Sequence, residues 1–230
     1  MAQVKSGPDL SGKVGDLVFY ERNGKKFVRS APKLVSKRTR KKKETEPQKM
    51  TRLRFKWAFH LIGQVREHIG ELYQETKGKG SPFHKAVGRI VKTAFRGNEP
   101  ESLRFDFELL PFAHGSLVFP PHFKKQIIEL DGSKQVELTW DGEIGDPKDT
   151  LSYLVIWLNK ETRTPLEPVT LEHSVLIHTK TQRKDAIYLI DISELSDQAL
   201  LKGFPLCVYV YFRNETKKLN TDSVNCYLES

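Results

Sequence analysis

The 230-residue chain carries 38 Lys or Arg against 29 Asp or Glu, a net charge of +9, with 38% hydrophobic and 10% aromatic residues. That composition is too apolar for a disordered chain and predicts packed cores. Two cysteines exclude a disulfide framework, and no run approaches the roughly 18 apolar residues of a membrane span.

The charge is unevenly placed. Residues 1–100 hold 24 Lys or Arg against 9 Asp or Glu, a balance of +15, whereas residues 101–230 hold 14 against 20, a balance of −6. A basic half joined to an acidic half fits a polyanionic partner such as nucleic acid. It fits equally well two halves that attract each other or a neighbouring copy. The N-terminal stretch Met1 to Pro8 lacks the apolar run of a secretory signal, which predicts a cytoplasmic protein and leaves signal-independent export open.

Residues 17–30 place two β-prone runs around Asn23-Gly24, a dipeptide suited to a type I′ turn, and predict a hairpin. Gly12 and Gly15 precede it, but no GKS or GKT and no helix follow, so a phosphate loop and its nucleotide cofactor are not indicated. Lys37, Arg38, Arg40, Lys41, Lys42 and Lys43 then form the densest charge run, extended by mutual repulsion.

Thr45-Glu46-Pro47-Gln48 has the form of a capping box and predicts a helix to about Gln74. Leu53, Trp57, Leu61, Val65, Ile69, Leu72 and Tyr73 give it an apolar face, widened by Phe55, Phe59 and Ile62. Lys77 to Gly80 end it. Ser81-Pro82 starts a second helix with Phe83, Val87, Ile90, Val91, Ala94 and Phe95 on one face, closed by Gly97-Asn98. The two should pack as a helical hairpin with aromatic faces in contact.

Leu103, Phe105 and Phe107 then alternate with charged residues, and Pro120-Pro121 marks a boundary. Strand candidates follow near 126–130, 135–140, 152–158, 169–178, 186–192, 205–213 and 222–228, separated by turns such as Asp131-Gly132. The expected architecture is α+β. A basic hairpin and helical domain over 1–120 precedes an antiparallel β-sandwich over 121–230.

Val136-Glu137-Leu138-Thr139-Trp140 resembles the second strand of a fibronectin type III or immunoglobulin-like module with its core Trp, and Tyr153 to Trp157 resembles the third. Ile187 to Leu195 is similar to the strand entering that family's Leu-containing turn, and Val208 to Phe212 to the next strand. The chain departs from the pattern after Leu195, where the turn is longer and the corner Tyr is absent. Gly12 to Gly15, Gly24-Lys25, Arg29, Pro32, Thr45 to Gln48 and Arg54-Phe55 resemble an uncharacterised family from Bacteroidetes-type bacteria, over roughly residues 10–120. That resemblance implies an architecture and no activity.

The candidate sites are few. His60 and His68, with Glu67, Glu71 and His84, lack the ligand spacing of a metal site, and His68 should pair with Glu71 at i+3. No Gly-x-Ser-x-Gly elbow is present. Cys207 and Cys226 read as core thiols on strands that could neighbour each other, which leaves a cross-strand disulfide open. Asp141, Glu143, Asp146 and Asp149 read as a solvated acidic loop rather than a calcium loop.

The basic tract has the strongest functional pull, and Lys49, Arg52, Arg54 and Lys56 continue it along the helix. Phe55, Trp57 and Phe59 could stack on bases only if exposed, and the spacing makes Trp57 a core residue. The sequence therefore predicts a non-enzymatic interaction or structural protein without cofactor or metal, binding a protein partner or itself. Sequence-nonspecific nucleic-acid binding through the tract is the alternative.

Overall fold

The computed structural model describes residues 2–3, 12–22, 24–31, 45–74, 80–159, 168–197 and 204–228. They fall into two compact units, Met1–Thr45 and Glu46–Ser230. The division expected at 120 lies inside the second unit, because the helices and the larger sheet share one core.

In the first unit, β1 (Ala2–Gln3), β2 (Gly12–Val14), β3 (Leu17–Arg22) and β4 (Lys25–Ser30) form an antiparallel sheet of order β1-β4-β3-β2. The expected hairpin is β3 and β4, in register from Leu17 opposite Ser30 to Arg22 opposite Lys25. Gly24 supplies the positive φ of +71° that a two-residue connection needs, while Asn23 lies outside the described residues. Tyr20 stacks on Phe27 with ring centroids 5.6 Å apart.

The second unit begins with α1 (Glu46–Gln64), α2 (Arg66–Leu72) and α3 (Pro82–Thr93). The single helix expected to Gln74 breaks at Val65, where φ is −103° and ψ 20°. Gly63 and β-branched Val65, both weak helix formers, flank Gln64 there. The break does not interrupt the apolar face, since Trp57, Leu61, Val65, Ile69, Leu72 and Tyr73 are all buried. Ser81 caps α3 by accepting a hydrogen bond from the His84 amide, with Pro82 at the first helical position.

That helix ends earlier than its periodicity predicts. Phe95 leaves it to join β5 (Phe95–Arg96), which pairs with β6 (Arg104–Phe105). Aromatic packing decides the matter, because Phe95 then lies 4.6 Å from Phe105 and both rings pack on Trp57. Only this short pair realises the alternation expected over 103–108. Phe107–Leu109 is a single 3-10 turn.

Seven strands follow the connector: β7 (Lys124–Leu130), β8 (Ser133–Thr139), β9 (Thr150–Leu158), β10 (Leu171–Gln182), β11 (Ile187–Asp191), β12 (Leu206–Asn214) and β14 (Val224–Leu228), with a two-residue β13 (Leu219–Asn220) before the last. A short α4 (Ile192–Ser196) follows β11. One sheet runs β11-β8-β7. The other runs β10-β9-β12, with β13 and β14 both pairing β12.

Both faces of β9 and β12 are covered, which explains their unbroken apolar runs. Leu151, Tyr153, Val155 and Trp157 of β9, with Leu206, Val208, Val210 and Phe212 of β12, share a core with Val136, Leu138 and Ile190 of the smaller sheet. Their neighbours Leu154, Ile156, Cys207, Tyr209 and Tyr211 pack instead with the helices. The second unit is thus an α+β stack in which helices cover one face of the larger sheet and the smaller sheet the other.

The connector from Leu103 to Ala113 runs inside the helical core, with Leu103, Leu110, Phe112 and Ala113 buried. Two hydroxyls hold it. Tyr209 donates to the Phe107 carbonyl at 2.7 Å and Tyr73 to the Pro111 carbonyl at 2.6 Å. Burial raises the pKa of both tyrosines well above the ordinary value, so they remain donors at any working pH.

The strands of the two cysteines do neighbour each other, but Cys207 points to the helical core and Cys226 to the core between the sheets, so no disulfide links them. Burial pushes the Cys226 thiol up to about 12. Neither thiol should react with a thiol reagent at mildly alkaline pH until the protein is denatured, when two should be counted; rapid native labelling would refute the packing described.

Candidate functional site

Of the ten residues expected to contact a polyanion, Lys37, Arg38, Arg40, Lys41, Lys42 and Lys43 lie outside the described residues. The other four sit on α1, and the helix separates them. Lys49, Arg52 and Lys56 face solvent, and Lys49 is paired with Glu46 at 2.5 Å. Arg54 turns inward, half-buried, and donates to the Gly97 carbonyl at 3.1 Å. Its structural contact removes it from the exposed face.

The three aromatics divide in the same way. Trp57 is 2% exposed and belongs to the core, whereas Phe55 and Phe59, expected to widen the buried face, are 47% and 55% exposed. At 100° per residue Phe59 and Arg52 lie opposite Leu61 and Trp57, so burying both faces would require a second layer above α1. Arg52, Phe55, Lys56, Phe59 and His60 form one outward stripe of cations and rings. Phe59 meets Phe83 edge-on at 4.9 Å, and the Arg66 guanidinium lies 5.8 Å from the Phe83 centroid.

The remaining polar clusters have structural partners. Glu71 does not pair with His68; it accepts from Arg213 and lies 3.0 Å from His178 Nε2, while Ser152 Oγ lies 3.0 Å from His178 Nδ1. The contacts have the composition of a Ser-His-carboxylate array, but Ser152 is fully buried, so no acyl substrate reaches its hydroxyl. The cluster ties α2 to β9, β10 and β12. A second group ties α3 to the segment before β14. Asp222 bridges Arg89 at 2.5 Å and His114 Nδ1 at 2.6 Å, and Arg89 Nη1 lies 3.2 Å from His114 Nε2. Since Arg89 can only donate, His114 carries its proton on Nδ1 and donates it to Asp222. Arg89 and Asp222 border an open cleft of about 460 Å³ between Thr93, Glu108 and Ser223.

The acidic loop departs from the expected solvated one at Asp149 alone, while Glu143 is exposed and Asp141 and Asp146 are partly exposed. Asp149 is 1% exposed and lies 3.4 Å from the guanidinium of Arg183, itself 1% exposed. Arg183 donates to the carbonyls of Ile144 at 2.8 Å and Val118 at 2.7 Å, lies 5.1 Å from the Phe212 ring centroid, and accepts from Trp140 Nε1 on its own carbonyl at 2.6 Å. Burial lowers its pKa and Asp149 opposes that shift. Gly145, at φ +110°, leaves the room: a Cβ there would stand 2.1 Å from Arg183 Nη1. Asp146 stays outside and binds Lys217 at 2.8 Å.

Gln64, at the helix break, guards the start of β10. Its Oε1 accepts from the Leu171 amide at 2.6 Å and its Nε2 donates to the Val169 carbonyl at 3.2 Å, as a neighbouring strand would. His68 Nε2 adds a 3.4 Å contact to the Ser174 carbonyl, and His84 Nδ1 lies 2.7 Å from Ser81 Oγ. Among the described residues no three His, Cys, Asp or Glu side chains converge as a metal site, and no helix is long and apolar enough to cross a membrane. No family model matches the chain, and no similar protein was found among curated proteins or solved structures.

Proposed function

We propose that the chain is a non-enzymatic interaction protein whose recognition surface is the outward stripe of α1. The observation that carries this reading is the pair Phe55 and Phe59, solvated between Arg52, Lys56 and His60 while the other rings of the helical layer pack inward. Two phenyl rings half exposed on one helix face bury less of their apolar surface in folding than core rings do, and such rings on a charged face are common where a partner docks. The Ser152, His114 and Arg183 clusters spend their hydrogen bonds on one another and on backbone, which favours a structural role for them.

The paired sheets fit a binding or spacing module of the fibronectin type III kind. Three strands ordered β11-β8-β7 face four ordered β10-β9-β12-β14, with Trp140 and Trp157 in the core between them. The departure is the helical layer on the outer face of the larger sheet. It would convert a module with a solvated face into a platform that orients α1.

A second reading, sequence-nonspecific binding of nucleic acid through the tract from Lys37 to Lys43, gains support from Lys49, Arg52 and Lys56, which stand exposed on the helix that follows it. Sedimentation velocity tests the surface under either reading. The intact protein should show a shift with its own concentration or with added oligonucleotide; Phe55→Ser/Phe59→Ser should weaken it if the stripe is the contact, and leave it in place if the cations of the tract carry it. A shift that survives the variant would place the contact elsewhere.

A further inference from the structure

We infer that the outward stripe of α1 binds a single-stranded polynucleotide, Phe55 and Phe59 serving as platforms for bases and Arg52 and Lys56 as phosphate contacts. The inference rests on that stripe being a contact surface, and adds the chemical class of the partner.

Three features of the helix point to this class. The rings are four residues apart, hence about 6 Å along the axis, roughly twice the 3.4 Å rise between stacked bases. Bases lying on the two rings must therefore be unstacked from one another. A single strand can adopt such spacing, whereas a duplex hides its base faces and would leave both rings unused. The second feature is orientation: the edge contact of Phe59 with Phe83, beneath Arg66, holds one platform in place before any ligand arrives.

The third feature is charge. Arg52 and Lys56 lie one helical turn apart on either side of Phe55, on the side of α1 opposite the core. The stripe itself carries no carboxylate; Glu46, at the start of α1, is engaged with Lys49, and Glu67 on α2 contacts His68 at 3.3 Å. In the sequence, the six cations from Lys37 to Lys43 lead into the same helix. An apolar protein partner would use the rings and have no need of this charge, so the polyanion accounts for both.

The test is fluorescence anisotropy of labelled oligothymidylate, oligouridylate and a duplex of equal length, titrated with the full chain over a range of salt. Phe55→Leu/Phe59→Leu keeps apolar volume and removes the rings; Arg52→Gln/Lys56→Gln removes two charges. Circular dichroism should show both variants folded. Single strands should bind more tightly than the duplex, and the leucine variant should weaken single-strand binding on the order of tenfold or more with the salt slope unchanged. The glutamine variant should lower that slope by about 0.7 per lost contact.

A duplex bound as tightly as the single strand, or a leucine variant that binds like wild type, would overturn the inference and leave a charged contact surface intact. No binding of any oligonucleotide at low salt would also overturn it. The sedimentation comparison would then decide the contact surface on its own, through self-association.

Discussion

Replacing Arg183 by Met should lower the unfolding free energy by about 3 to 5 kcal/mol, the usual cost of removing one partner of a buried ion pair. Arg183 and Asp149 are each 1% exposed, so the substitution leaves a carboxylate in the interior with Asn214, at 2.8 Å, as its side-chain donor among the described residues, and removes the donor to the carbonyls of Ile144 and Val118. Arg183→Met/Asp149→Leu should be more stable than the single variant, because both charges and their desolvation are removed together. Urea unfolding followed by tryptophan fluorescence reads the difference, with Trp140 reporting directly through its bond to the Arg183 carbonyl. A single variant within about 0.5 kcal/mol of wild type, a size ordinary for surface substitutions, would mean that water reaches Asp149.

Phe112→Ala carries the second large effect, about 3 to 5 kcal/mol for truncating a fully buried phenyl ring. The ring meets Tyr209 edge-on at 4.7 Å, between the connector and the helical side of the larger sheet. Its loss weakens the layer contact rather than either layer alone. Helical and strand signals in circular dichroism should therefore fall together at a lower urea concentration. Separate transitions, with the strand signal unmoved, would show that the helices fold independently of the sheet. The fragment 121–230 should correspondingly aggregate, since it would bare Leu154, Ile156, Tyr209 and Tyr211.

These effects would not be anticipated from the primary structure, and the reason is specific. Arg183 sits in Lys180-Thr181-Gln182-Arg183-Lys184-Asp185, which reads as a polar surface turn. Its burial depends on a glycine 38 positions earlier and on a carboxylate 34 positions earlier, and neither separation leaves a local pattern. The exposure of Phe55 and Phe59 was legible in part: their helical angles place them away from Leu61, and only the assumption of a very wide apolar face hid it.

What the sequence by itself determined are the elements whose causes are local. Asn23-Gly24 sets the β3–β4 hairpin and Ser81-Pro82 the start of α3. Asp131-Gly132, both at positive φ, turns β7 into β8. The α+β composition follows from the two periodicities. The tertiary structure alone decided the break at Val65, the escape of Phe95 from α3, the cover on both faces of β9 and β12, and the pairing of Arg183 with Asp149. Each of these turns on groups distant in the chain competing to exclude water from the same surface, and their free energy exists only once the layers meet.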